Sequence, residues 1–177
     1  MDVNRLVTAL KNLVRTGWMQ RGIPPSLGET VAEHSFEAAV IAYYLSTALS
    51  SLGIKADPNK AAVLALFHDA GEAILGDLPK WATERLSDKR KAEVEANELL
   101  GTGQIFSEYK SQETIEAKIA RLSDRLSTLL QAYRYRKMGF DVSEIIESYQ
   151  EEVERILSDL PDVRPIVEKL VNDIKSL

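Results

Sequence analysis

The stretch Thr30-Val31-Ala32-Glu33-His34-Ser35-Phe36-Glu37-Ala38-Ala39-Val40-Ile41-Ala42-Tyr43-Tyr44-Leu45 reads as the opening and body of one helix. Thr30 followed three residues later by Glu33 is a capping box, in which each side chain satisfies the other's free backbone N–H. The helix predicted from it runs from about Val31 to Leu52, and its apolar run from Ala38 to Leu45 marks it as a central helix.

Helical punctuation continues on both sides. Leu6, Leu10, Leu13 and Val14 follow the 3.6-residue period of a first amphipathic helix that stops near Gly17. Gly17 to Glu29, with its glycines and the adjacent Pro24 and Pro25, reads as a loop. Asp57-Pro58 is a start signal for a third helix that reaches at least His68. Gly71 and Gly76 interrupt the pattern and leave room for one short turn. A charged helix is predicted from Ser87 to Leu100, ended by Gly101-Thr102-Gly103. A long helix is predicted from about Gln112 to Met138, closed by Gly139. Asp141 and Glu144 resemble a further cap. Val142, Ile145, Ile146, Tyr149, Val153, Ile156, Leu157 and Leu160 form the next apolar stripe. Pro161 and Pro165 precede a last helix ending near Leu177. There is no alternating period-2 segment and no internal repeat. The expectation is all-α: a single-domain helical bundle over residues 1–177 with about seven or eight helices, those in 140–177 completing the bundle.

Composition narrows the function. A chain of 177 residues can bury roughly 70% of its unfolded surface and needs no staple. It has 22 Lys+Arg against 27 Asp+Glu, a net charge of −5, and so lacks a general attraction for nucleic acid. With no cysteine, thiolate catalysis and sulfur-based zinc sites are excluded. The first helix carries Asp2, Arg5, Lys11 and Arg15, unlike a signal peptide. No apolar run approaches the ~18 residues that span a bilayer. The expectation is a cytoplasmic protein without membrane or nucleic-acid partners.

The two histidines, His34 and His68, sit near helix ends. His68-Asp69 alone could be a polar helix terminus. The neighbourhood adds weight: after the apolar run Ala61 to Phe67 come His68, Asp69, Glu72 and Asp77. On a continued helix Glu72 would face both His68 and Asp69. Burying so many charges demands a counter-charge, and a divalent cation is the simplest. Imidazole with carboxylate suits Mn, Fe, Co, Ni or Zn. Asp124 lies on or near the apolar stripe of the long helix, and reads either as a further ligand or as a surface partner of Arg121 or Arg125.

The ordered set His34, His68-Asp69, Asp124 resembles the metal site of the HD-domain phosphohydrolase superfamily, and its 5′-deoxynucleotidase branch most closely. The resemblance covers about Leu10 to Asp124. It is carried by Leu10-Lys11, Arg15-Thr16-Gly17-Trp18, Val31-Ala32-Glu33-His34-Ser35, His68-Asp69-Ala70-Gly71-Glu72, Gly76-Asp77-Leu78-Pro79 and Ser123-Asp124. It implies that His34, His68, Asp69 and Asp124 hold one divalent cation (Mn, Co, Ni, Zn, Fe or Mg). Glu72 would orient or deprotonate the attacking water, and Asp77 would lie near the sugar and the water. Arg15 would face the substrate phosphate, and Trp18 would help shape the nucleotide pocket. Thr16 stands where that branch carries an aromatic residue, which leaves the choice between ribose and deoxyribose open.

The chemistry is coherent. A metal acidifies bound water, a nearby carboxylate accepts the proton, and an arginine offsets phosphate charge. On residue type alone, Arg15 is also an ordinary arginine at a helix end. Tyr133-Arg134-Tyr135-Arg136-Lys137 reads as a helix C-terminus or as a basic patch, and Lys80 as an exposed lysine that could touch phosphate. The leading expectation is a hydrolase of nucleoside 5′-monophosphates. A non-catalytic nucleotide-sensing module is the alternative from another class. A guanosine tetraphosphate hydrolase is disfavoured because Ala73 follows Glu72, and a two-metal cyclic-dinucleotide enzyme because no histidine remains. The resemblance suggests a homodimer, with the stripe from Val142 to Leu160 as either core or part of the contact.

Overall fold

The computed structural model describes residues 2–79, 82 and 85–176; Lys80 lies outside them. The described residues form α1 (Val3–Asn12), α2 (Thr16–Met19), α3 (Val31–Ser51), α4 (Pro58–Phe67), α5 (Glu72–Leu75), α6 (Lys89–Leu100), α7 (Gly103–Ser111), α8 (Ile115–Lys137), α9 (Ser143–Leu157), a 3-10 turn (Pro161–Val163) and α10 (Arg164–Ser176). No strand occurs among them. The all-α expectation holds.

Local chemistry sets the main starts. Thr30 caps α3 as predicted: its Oγ1 accepts from Glu33 N at 3.2 Å and its N–H donates to the Glu33 carboxylate at 2.7 Å. The Asp57 carboxylate accepts from Asn59 N and Lys60 N, with Pro58 in the first turn of α4. α3, α4 and α8 pack against one another at the centre, and α9 lies along α8. Leu45 of α3 and Leu122, Leu126 and Leu129 of α8 are buried in this seam, each contributing roughly 1.5–3 kcal/mol of transfer free energy. Val142, Ile146, Val153, Leu157 and Leu160 are buried in the same core, so the C-terminal stripe is interior.

Four details differ from expectation. α1 ends at Asn12, not near Gly17. Leu13 turns extended, Val14 forms an isolated antiparallel bridge with Thr30, and the N–H groups of Arg15 and Val31 donate to the carbonyls of Glu29 and Leu13. This clasp outcompetes the helical pattern of Leu13 and Val14. The long helix expected from about Gln112 starts at Ile115 instead: Gln112 adopts φ 57° and ends α7, and Thr114, whose hydroxyl accepts from Ala117 N, caps α8. α3 is central on one side only, because Phe36 and Tyr44 on its outer side are 66% and 67% exposed. Finally, α4 stops at Phe67, so Glu72 is not on the His68 helix but opens α5 after a turn.

Candidate functional site

Three separate elements deliver the predicted polar residues to one place. His34 sits one turn into α3, on the face that also buries Val31 and Ala38. His68 caps the C-terminus of α4, and Asp69 follows in the turn. Asp124 lies midway along α8 and is buried rather than paired at the surface. The two imidazole rings stand 5.2 Å apart, centroid to centroid. Asp124 Oδ1 lies 3.3 Å from His34 Nε2 and 3.7 Å from His68 Nε2. Asp69 Oδ2 lies 3.0 Å from His68 Nε2 and 3.9 Å from His34 Nε2. His34, His68 and Asp124 each offer a ligand atom within 4.8 Å of the others, a cluster compatible with a divalent cation.

Burial tests that fit. His34 Nε2 and His68 Nε2 are both buried and have no hydrogen-bond partner among the described residues. A buried polar atom without a partner is expensive, and two of them facing carboxylate oxygens form a donor set suited to a cation. His68 is already arranged for it. Its Nδ1 lies 2.6 Å from the Ala65 carbonyl oxygen, which only accepts, so the ring proton sits on Nδ1 and Nε2 presents its lone pair.

The electrostatics follow from the crowding. Burial works against the Asp124 carboxylate, but Arg125, His68 and His34 outweigh it and hold it well below the usual range. Asp69 is likewise held low against burial, chiefly by His68. His68 is raised, because Asp69 and Asp124 overcome its burial. His34 is lowered by burial and by the Arg15 guanidinium. Glu72 is pushed up to about 10, by burial first and then by the charges of Asp69 and Asp77. Its Oε2 is also buried without a partner among the described residues.

Arg15 enters from the extended clasp. Its Nη1 lies 2.9 Å from His34 Nδ1, 3.0 Å from Thr128 Oγ1 and 3.5 Å from Glu29 Oε2. It therefore reaches the cluster rather than the surface. Asp77 accepts from the backbone N–H of Thr16, and the Thr16 hydroxyl donates to the Asp77 carbonyl at 2.8 Å, so this pair ties the α5–α6 connection to the Arg15 segment. Trp18 lies in the core at 2% exposure, its Nε1–H donates to Glu29 at 2.8 Å, and its ring meets Tyr135 edge-on. The basic-aromatic run also resolves as helix end and core. Tyr133 and Tyr135 are buried, and Arg134 pairs with Glu37.

Beside His68, Asp69 and Glu72 opens a cleft of about 40 Å³ whose opposite wall is Lys89, Asn97 and Phe106. A Cβ on Gly71 would come within 2.7 Å of Asn97 Nδ2, so the Asn97 side chain would have to shift to admit one. A larger cavity of about 540 Å³, between the start of α3 and the end of α8, includes none of the clustered residues. Residues absent from the sequence reading also converge here. Thr128 is one helical turn from Asp124, a spacing that could have disclosed it. Tyr109, whose hydroxyl donates to Asp124 Oδ2 at 2.5 Å, lies on a helix that no periodicity disclosed.

Known proteins share this arrangement of elements. The 5′-deoxynucleotidase HDDC2 of Dictyostelium discoideum is 29% identical over 151 residues, 77% of this chain and 77% of that protein. The Xenopus laevis protein of the same name is 31% identical over 144 residues, covering 76% and 68%. The structure of a conserved hypothetical protein from Pyrococcus furiosus matches with a TM-score of 0.85 at 34% identity, covering 96% of this chain and 97% of that one. Residues 7–162 match the HD domain, and the chain belongs to the HD domain family.

Proposed function

We propose that this protein is a metal-dependent phosphohydrolase that removes the 5′-phosphate from nucleoside monophosphates, deoxyribonucleoside monophosphates foremost. The observation that carries the reading is the convergence of four side chains, with His34 Nε2 and His68 Nε2 facing Asp124 Oδ1 and Asp69 Oδ2 at 3.0–3.9 Å. The deoxynucleotidase names of the relatives support the substrate class.

In this reading His34, His68, Asp69 and Asp124 hold the cation. When bound, a divalent cation there supplies Lewis acidity, polarising a phosphoryl oxygen and lowering the pKa of water. Glu72 orients the attacking water and takes its proton. Burial first, and then the charges of Asp69 and Asp77, keep it protonated in the metal-free protein at neutral pH, and added positive charge works in the opposite direction. Arg15 offers a planar fork to two phosphate oxygens. Asp77 lies beside the sugar and, through Thr16, holds the Arg15 segment in place. Trp18 contributes from the core by fixing Glu29 behind Arg15.

The test is phosphate release from a panel of ribo- and deoxyribonucleoside monophosphates with Mn, Co or Mg. Turnover that disappears in a His68→Ala, Asp69→Ala control is expected. Nucleotide binding without turnover above that control would make the chain a sensing module instead. A cytoplasmic homodimer belongs to the same reading, and a single-chain mass in sedimentation would overturn the dimer.

A further inference from the structure

Asp124 has two carboxylate oxygens, and only Oδ1 faces the imidazoles. A terminal carboxylate torsion is broad, so nothing in the aspartate itself keeps Oδ1 there. Oδ2 is held from the other side. The Tyr109 hydroxyl donates to it at 2.5 Å, and Arg125 Nη1 lies 3.7 Å away with its Nε 2.9 Å from Glu152. The Tyr109 ring also packs against His68, centroids 5.2 Å apart and tilted by 50°. Tyr109 is 2% exposed. Its place is set by neighbours on either side of it in α7 and just beyond. Glu108 pairs with Lys60 of α4 at 2.6 Å and accepts from Thr114 Oγ1 at 2.7 Å, and the Gln112 amide reaches back to the Tyr109 carbonyl.

We propose that Tyr109 is a positioning residue of the metal centre, its hydroxyl aiming Asp124 Oδ1 and its ring fixing the His68 plane so that both ligand atoms meet at one point. This rests on the proposed metal centre, and it assigns to α7, which supplies no ligand, the task of orienting two ligands at once. Groups that hydrogen-bond a ligating carboxylate tune affinity without touching the ion.

The experiment uses the full chain and titrates Mn, Co or Zn alone, without nucleotide. Tyr109→Phe keeps the ring and removes the donor. Its metal Kd is expected to weaken by about 10–100-fold, with a shifted Co absorption spectrum and an unchanged helical circular dichroism spectrum. Tyr109→Leu, which removes the ring as well, should weaken binding further. A Tyr109→Phe Kd within twofold of the parent, with an unchanged Co spectrum, overturns the proposal and leaves the metal centre standing. A parent chain that binds none of the three metals overturns both. Loss of hydrolysis with metal affinity intact overturns the positioning role alone.

Discussion

His68 Nδ1 meets the carbonyl of Ala65, three residues back in its own helix, whereas His34 Nδ1 meets the guanidinium of Arg15, nineteen residues away on another element. A carbonyl only accepts, so neutral His68 carries its proton on Nδ1 and keeps Nε2 open. A guanidinium only donates, so His34 Nδ1 accepts, and neutral His34 carries its proton on Nε2, the atom that faces the carboxylates. The two rings look alike in composition and sit at opposite stages of readiness. His68 is set by local backbone geometry. For His34 to serve as the proposed ligand, Arg15 would have to give up its contact and the proton move or leave. On the His34 side, then, the group proposed to bind phosphate and the group proposed to bind metal restrain each other.

The largest effect is expected on the His68 side. Glu72→Gln should lower kcat by roughly 10²–10⁴-fold if Glu72 is the proton acceptor. The same variant has an opposite signature in stability. Glu72 rises from 4.5 to about 10 in the folded, metal-free chain, so between those values the unfolded chain releases a proton that the folded chain retains. Stability from this group is therefore present below about 4.5 and lost as pH climbs toward 10. Glutamine does not titrate, so the thermal midpoint of Glu72→Gln should gain on the parent progressively from pH 5 to pH 9. A constant offset across that range would remove the electrostatic account of this side.

The His34 side should respond more weakly and with divided sign. Arg15→Gln removes the positive charge that lowers the His34 pKa, and the same field disfavours a bound cation. Metal affinity without nucleotide should tighten at least about fivefold, since even the fully water-screened repulsion of two unit charges about 4 Å apart is ~1 kcal/mol. The KM for a monophosphate should rise on the order of tenfold, because a charge-assisted phosphate contact is lost. If metal binding and monophosphate binding both tighten or both weaken, Arg15 does not stand between metal and phosphate.

This contrast marks where the sequence could be read. The capping box at Thr30 and the Asp57-Pro58 start are complete within four residues, so α3 and α4 were legible, and with them the positions of His34 and His68 at helix ends. Gly71 and Gly76 bracket α5 as anticipated. What escaped depends on partners distant in the chain. Leu13 and Val14 fit a helical stripe, yet the Glu29–Val31 segment draws them into an extended clasp. The helix Gly103–Ser111 went undisclosed, and Gln112 ends it in a left-handed conformation that a non-glycine residue does not advertise. Asp124 beside Arg121 and Arg125 also fits a surface ion pair, and the partners that show its inward direction, His34, His68 and Tyr109, all lie on other elements.

The smallest expected effect tests whether the clasp acts on one histidine alone. The Thr16 hydroxyl donates to the Asp77 carbonyl at 2.8 Å, one residue beyond Arg15. Thr16→Ala removes that bond and leaves the backbone N–H of Thr16 on the Asp77 carboxylate. The loss is about 1 kcal/mol, or roughly 2–4 °C in the thermal midpoint of a chain this long. Its consequence should be local: a looser Arg15 shifts the imidazole nitrogen resonances of His34, while those of His68, anchored on Ala65, stay where they are. Equal shifts at both rings would mean that the cluster responds as one unit and that the local anchoring of His68 gives it no independence from the Arg15 segment.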